Sequence, residues 1–285
     1  MVEQDDENRV PPSLDVSAPS RDARYLSLVL NPIKVCSVYK PRLGQGAQAG
    51  LNLSDFQSLY RADPFYAWFG LDNALMYAAH KAAGGMTSIY RQIGIGCEHL
   101  FRAVLQDELG LTEAEASWSY SVRVAKGKRR TLSLDGRILL DAVRDSAARS
   151  RVKDWILGVC RDLGVNSRIA RSLTGVVFEV RQGYKSKDSK RQNADLANAA
   201  TAYSQAYLPC VALLSMQMDD DIFTRYKAAK WAMLTGRTQG GTAQDSTYHF
   251  MREVVGYDLA DFFVRHAPEL KAEVNTVLEA LLSAS

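Results

Sequence analysis

Residues 175–198, GVVFEVRQGYKSKDSKRQNADLAN, constrain this chain more than any other stretch. Valines around Phe178, entered from the Thr174-Gly175 breaker, predict a short buried strand. Side chains alternate along a strand. Glu179 and Arg181 therefore share the face opposite Phe178 and Val180, and Gly183 then turns the chain into Lys185, Lys187, Asp188, Lys190 and Arg191. A carboxylate fixed on a rigid strand, with cations following at once, suits a site that holds a divalent metal against a phosphodiester.

Around that strand the elements alternate. Residues 1–24 are polar and hold Pro11, Pro12 and Pro19, which predicts a disordered tail. Residues 25–111 predict a mainly helical N-terminal region, broken at Pro64 and at Gly84-Gly85, with Thr87 as a cap candidate and Gly110 as the stop. Residues 112–285 predict an α/β core with a helical C-terminal tail. Trp118, Tyr120, Val122 and Val124 alternate with polar residues, Gly127 turns the chain, and RTLSLDGRILL follows as the second arm of a hairpin. Helices are expected over 141–163, 166–173 and 191–207, strands over 176–181 and at LPCVALLSMQ, and a flexible loop over 236–245. This order predicts a mixed sheet flanked by helices.

Composition narrows the function. No run approaches a membrane span and the acidic start, MVEQDDENRVPPS, is unlike a secretion signal, so a soluble cytoplasmic protein is expected. Cys36, Cys97, Cys160 and Cys210 are too scattered for zinc and read as buried apolar residues; the four histidines are equally dispersed. The net charge of +3 hides basic stretches at 123–130 and 144–191, which point to a polyanionic partner. The aromatics of RADPFYAWFG read as core, and Asp219-Asp220-Asp221 as a helix cap.

Asp135 closes the alternation Thr131, Ser133, Asp135 just before Gly136. If its strand neighbours that of Glu179, the two carboxylates form a hard-cation site suited to Mg2+; Asp-Gly is equally common turn chemistry, and Asp141 is the fallback. Asp135, Glu179 and the basic stretch together resemble the PD-(D/E)xK nucleases, with KRQNADLAN similar to the motif region of type II restriction endonucleases. The resemblance covers about residues 90–215. It implies a restriction-endonuclease-like fold, supporting metal ligands at Glu98 on the helix before the hairpin and at Asp195 after the core strand, and hydrolysis of DNA phosphodiesters. The family pattern places lysine where this chain has Arg181. Either Arg181 serves as an electrostatic group, or Lys185 reaches back to supply the amine.

Lys187, Asp188, Lys190, Arg191 and Gln192 are candidate DNA-reading residues at a helix start, and Lys128 and Arg130 are candidates for clamping the backbone from the hairpin. Double-strand cleavage of a palindrome implies a homodimer. Two rivals keep these residues: a nuclease that acts on DNA structure, and a non-catalytic nucleic-acid-binding protein whose acids merely pair with nearby arginines.

Overall fold

A single 36-residue helix organises the molecule. The structure, a computed structural model, describes residues 20–43, 49–123, 129–183 and 189–283. Helix α1 (Arg21–Lys34) starts under a Ser20 cap, so residues 21–24 are helical where a tail was expected. After α2 (Leu53–Ala62), Pro64 opens α3 (Pro64–Trp68) at the position where its missing N–H costs nothing. The long helix α4 (Ala74–Leu109) follows and ends at Gly110, which takes the left-handed conformation (φ 69°).

Gly84-Gly85 does not break α4. A Cβ on Gly84 would lie 2.0 Å from the Tyr39 hydroxyl oxygen, and one on Gly85 2.5 Å from a Leu281 methyl. These glycines admit neighbouring side chains to the helix surface, and the contacts outweigh their poor helix propensity, about 1 kcal/mol each. Thr87, expected to cap, lies mid-helix with its hydroxyl donating to Ala83 O at 3.4 Å. Gly96 admits backbone instead: a Cβ there would sit 2.9 Å from Val29 Cα of α1.

After α5 (Glu113–Ala116), β1 (Trp118–Arg123) pairs antiparallel with β2 (Arg129–Leu134), Trp118 opposite Leu134. The expected turn at Gly127 lies outside the described residues. RTLSLDGRILL is two strands in two sheets, because the chain bends at Asp135 and β3 (Gly136–Leu139) leaves the hairpin. Then come α6 (Ser146–Asp162), α7 (Ser167–Ser172), β4 (Gly175–Arg181), α8 (Ser189–Ser204), β5 (Tyr207–Leu213), α9 (Asp220–Ala228) and β6 (Ala232–Leu234). The second sheet has the order β3-β4-β5-β6, with β3 antiparallel to β4 and the others parallel. The chain closes with α10 (Thr247–Phe250) running into a π turn, α11 (Leu259–Arg265) and α12 (Ala267–Leu282). The architecture is thus mixed α/β with one mixed sheet, and no described helix is long and apolar enough to cross a membrane.

Strand β4 is buried on both faces. Val176, Phe178 and Val180 enter a cluster with Phe101, Trp155 and Phe250, while Val177 enters another with Trp118, Ala202 and Trp231. The first cluster runs from Tyr25 to Leu281 and so joins the N-terminal helices, the sheet and the C-terminal helices. Each fully buried large side chain contributes about 1.5–3 kcal/mol. A Cβ on Gly175 would lie 2.0 Å from Ile138 O, backbone of the paired strand β3. Gly175→Ala is therefore expected to lower the urea midpoint by the equivalent of about 2 kcal/mol or more, since backbone cannot give way as a side chain can.

Two expectations about texture change. The loop at 236–245 is fastened: Trp155 Nε1 donates to Ala243 O at 2.6 Å, Thr242 N to Asp245 Oδ1 at 2.7 Å and the Ser246 hydroxyl to Arg237 O at 2.5 Å. Phe65, Tyr66, Trp68 and Phe69, read as core, are exposed. Their five-residue helix buries none of its own residues.

The cysteines are buried and free as expected. Burial, aided by the Glu98 carboxylate, pushes the Cys97 thiol up to about 12, and burial alone pushes Cys160 up to about 11. Since all four are shut off from solvent and thiolate is the reactive form for Cys97, Cys160 and Cys210, iodoacetamide at about pH 8 should label none of these three in the folded protein and all of them after denaturation, counted by intact mass.

Candidate active site

Asp135 stands where two sheets part, and its bonds explain the bend. Its N–H donates to Phe178 O at 2.8 Å, its carbonyl accepts from Arg102 Nε at 2.8 Å, and its Oδ2 accepts from Val180 N at 2.8 Å. The side chain thus replaces a ladder acceptor one step beyond the last paired residues, Gly136 and Phe178. Its carboxylate lies at the Glu179–Val180 peptide, although Asp135 stands at the bend between β2, which belongs to the other sheet, and β3, which pairs with the strand of Glu179.

Glu179 and Arg181 share a face of β4, as alternation predicts, and they pair: Arg181 Nη2 lies 2.6 Å from Glu179 Oε1. The same nitrogen lies 2.9 Å from Asp195 Oδ2, and that oxygen also accepts the Tyr226 hydroxyl. Arg181 and Asp195 are both buried. The guanidinium therefore links a strand carboxylate to a helix carboxylate beneath the surface. Burying a cation between acids costs desolvation that close geometry and hydrogen bonds offset.

Asp195 was expected among metal ligands. It is instead placed in the buried Arg181–Tyr226 arrangement, because α8 turns that residue toward the sheet. Among the described residues, no group of three or more histidine, cysteine, aspartate or glutamate side chains is arranged to hold a metal, so a cluster of Asp135, Glu179, Glu98 and Asp195 is not formed. Glu98, Asp135, Glu179 and Asp195 all have interaction partners.

Glu98 lines a different part of the same region. A cleft of about 550 Å3 runs between α4 and the end of β4, walled by Tyr90, Arg91, Gly94, Ile95 and Glu98 and floored by residues 180–183. Arg91, Gly94, Ile95 and Glu98 recur at helical spacing, so one stripe of α4 faces the strand end. The stripe was legible from Glu98 by counting back three, four and seven residues. Tyr226 and Arg102 carried no such signal: their partners are 31 and 33 residues away in the chain.

The cationic candidates divide. Lys128, Lys185, Lys187 and Asp188 lie outside the described residues, whereas Lys190, Arg191 and Gln192 occupy the first turn of α8 and Arg130 lies on β2 opposite Val122. The fallback Asp141 is exposed on a 3₁₀ turn after β3. Asp219 caps α9, accepting from Asp221 N and Ile222 N, as the bland reading of the acidic triplet expects. No family model matches the chain, and no match is found among the curated proteins or the solved structures.

Proposed function

We propose that this chain is a Mg2+-dependent, sequence-specific endonuclease of double-stranded DNA, on a restriction-endonuclease-like plan. One observation carries the reading: the Asp135 carboxylate is held on the Val180 N–H, beside Glu179 on the adjacent strand. The chain order agrees, with Glu98 on α4, Asp135 at the β2–β3 bend, Glu179 on β4, and then the basic start of α8. The donor set fits the metal, since Mg2+ takes hard oxygens and is commonly held by one or two carboxylates together with waters and substrate phosphate.

Asp135 and Glu179 would hold the ion, and Glu98 lines the cleft that residues 180–183 floor. When bound, Mg2+ supplies a lowered water pKa and neutralises charge on the phosphate. The protein's own contribution is orientation. The Val180 N–H sets Asp135, and Arg181 sets Glu179 while being fixed in turn by Asp195. Arg181 is thereby a positioning residue. It cannot act as a base, because guanidinium stays protonated. A proton acceptor or amine, if the chain supplies one, comes from elsewhere, and Lys185 is the candidate. The basic start of α8 would meet the DNA, with Lys190, Arg191 and Gln192 reading bases and Lys187, Asp188, Lys128 and Arg130 on the backbone or flanking bases.

The pairing of Glu179 with Arg181 favours one alternative, a non-catalytic DNA-binding protein whose acids serve only as structural partners. Incubation of purified protein with mixed-sequence plasmid, in Mg2+ or in chelator, separates the readings. Discrete Mg2+-dependent fragments are expected. A smear would indicate a nuclease indifferent to sequence, and intact DNA with retained binding would leave only the non-catalytic reading.

A further inference from the structure

Four glycines lie inside α4, and three of them are accounted for by what they admit. Tyr39 and Leu281 stand over Gly84 and Gly85, and α1 crosses at Gly96, whereas among the described residues nothing lies within 4 Å of a Cβ placed on Gly94. Glycine disfavours a helix interior; where no neighbour uses the gap, the bare backbone suits close approach by a bound molecule. Gly94 lies on the wall of the cleft between α4 and the end of β4. At about 550 Å3 the cleft falls in the size range of ligand sites, roughly 300–1,000 Å3.

The other groups of the cleft indicate the ligand. Arg181 is committed to Glu179 and Asp195, but Arg91 is exposed on the α4 wall. Tyr90, 52% exposed, adds a phenol hydroxyl, and the floor is pinned by Ser215 N donating to Gln182 O at 2.7 Å. Glu98, the acid of the wall, is seven residues beyond Arg91. That is about 10 Å along the helix axis, where salt screens much of its repulsion of an anion held by Arg91. The same face of α4 continues to Arg102, whose Nε holds the Asp135 carbonyl at 2.8 Å, with residues 91, 95, 98 and 102 at steps of four, three and four. A substrate bound at Asp135 that follows this face passes Glu98 and Gly94 and reaches Arg91. A phosphodiester strand repeats its anion at every nucleotide and so can occupy both ends of that path at once.

We infer that the α4–β4 cleft carries the sugar–phosphate backbone of the bound DNA strand beyond Asp135, with Arg91 on a phosphate and the strand lying against the uncovered helix backbone at Gly94. The DNA contacts named above come from α8 and the hairpin. This one comes from α4, which packs with Phe178 and Val180 on one face of β4, whereas α8 packs with Val177 on the other. The assignment rests on the DNA reading proposed above and adds to it a residue that senses phosphate and not sequence.

Fluorescence anisotropy of two labelled duplexes of unrelated sequence, titrated with the full chain in chelator over a series of salt concentrations, tests it. Arg91→Ala should weaken both duplexes alike and reduce the slope of log K against log salt by about 0.9, the loss of one phosphate contact; Arg91→Lys should keep the slope. Gly94→Leu places a side chain in the cleft and should weaken binding about tenfold or more, the equivalent of one charge-assisted contact. Its urea midpoint should stay at or above wild type, because a Cβ there meets no described residue and leucine favours helix. Weaker binding without lost stability is a result that a merely structural role does not give. Unchanged affinity and slope in both variants overturns the inference and leaves the cleavage reading standing if the wild type still cuts in Mg2+. A loss confined to one duplex also overturns it, since a phosphate contact is blind to the base. A wild type that binds neither duplex overturns it together with the DNA reading, whereas cleft-dependent binding by a chain that never cuts upholds it and removes cleavage alone.

Discussion

Glu179→Ala is expected to abolish Mg2+-dependent cleavage while leaving DNA affinity within a few-fold of wild type. If the proposed reaction is right, the substitution removes one of two carboxylates that hold the ion. Metal-borne stabilisation of several kcal/mol then disappears, and each 1.36 kcal/mol is tenfold in rate, so a loss of about 1,000-fold or more follows. The fold should survive, because Arg181 retains Asp195, 2.9 Å away. Asp135→Ala should be as inactive but less stable, since Val180 N loses its acceptor across the strand boundary. Cleavage rates in Mg2+ and fluorescence anisotropy of a labelled duplex in chelator make the comparison. Full cutting by Glu179→Ala would remove that residue from the mechanism.

The second large effect is on stability. Arg181→Met should destabilise the protein by about 3–5 kcal/mol in urea unfolding, because it strands buried acid rather than merely deleting a contact. Asp195 would keep the Tyr226 hydroxyl but lose its charge partner, and Glu179 would lose the group that orients it. Adding Asp195→Asn to Arg181→Met should recover part of the loss, since the stranded charge goes with it; the double-mutant cycle measures the coupling. Arg181→Lys is expected to fall between, as lysine keeps the charge but loses the planar guanidinium whose Nη2 meets both carboxylates. A loss below about 1 kcal/mol for Arg181→Met would mean that the pair behaves like a surface ion pair.

These two residues show how the site is divided. Asp135 is set by backbone, at a bend and on a strand N–H, whereas Glu179 stands on a strand buried on both sides and is oriented by Arg181. Arg181 is set by side chains from β4, α8 and α9, three elements that converge only in the folded chain. Loss of either acid should therefore affect chemistry first, and loss of the arginine, which is tied to three elements, should affect the fold first.

The strand at Phe178, its alternation, and the shared face of Glu179 and Arg181 were readable because valine-rich runs and a period of two are local properties. The hairpin from Trp118 was readable for the same reason, and so was the capping role of Asp219. What failed also had a local cause. Gly84-Gly85 looked like a break because glycine disfavours helix in isolation, yet Tyr39 and Leu281 occupy the space where its side chains would be. The aromatics at 65–69 looked like core because apolar residues usually are, and composition carries no information about whether another element covers them.

What the chain's residues determined alone is the chemistry available and its order: an acid before a bend, an acid on a buried strand, cations after it. What only the tertiary structure decided is who meets whom. Asp195 became Arg181's partner rather than part of a metal cluster, and Glu98 became a wall of a cleft that residues 90–98 and 180–183 share. Periodicity and propensity act over a few residues, whereas ion pairing and cleft formation depend on packing between elements dozens of residues apart, which no local pattern encodes.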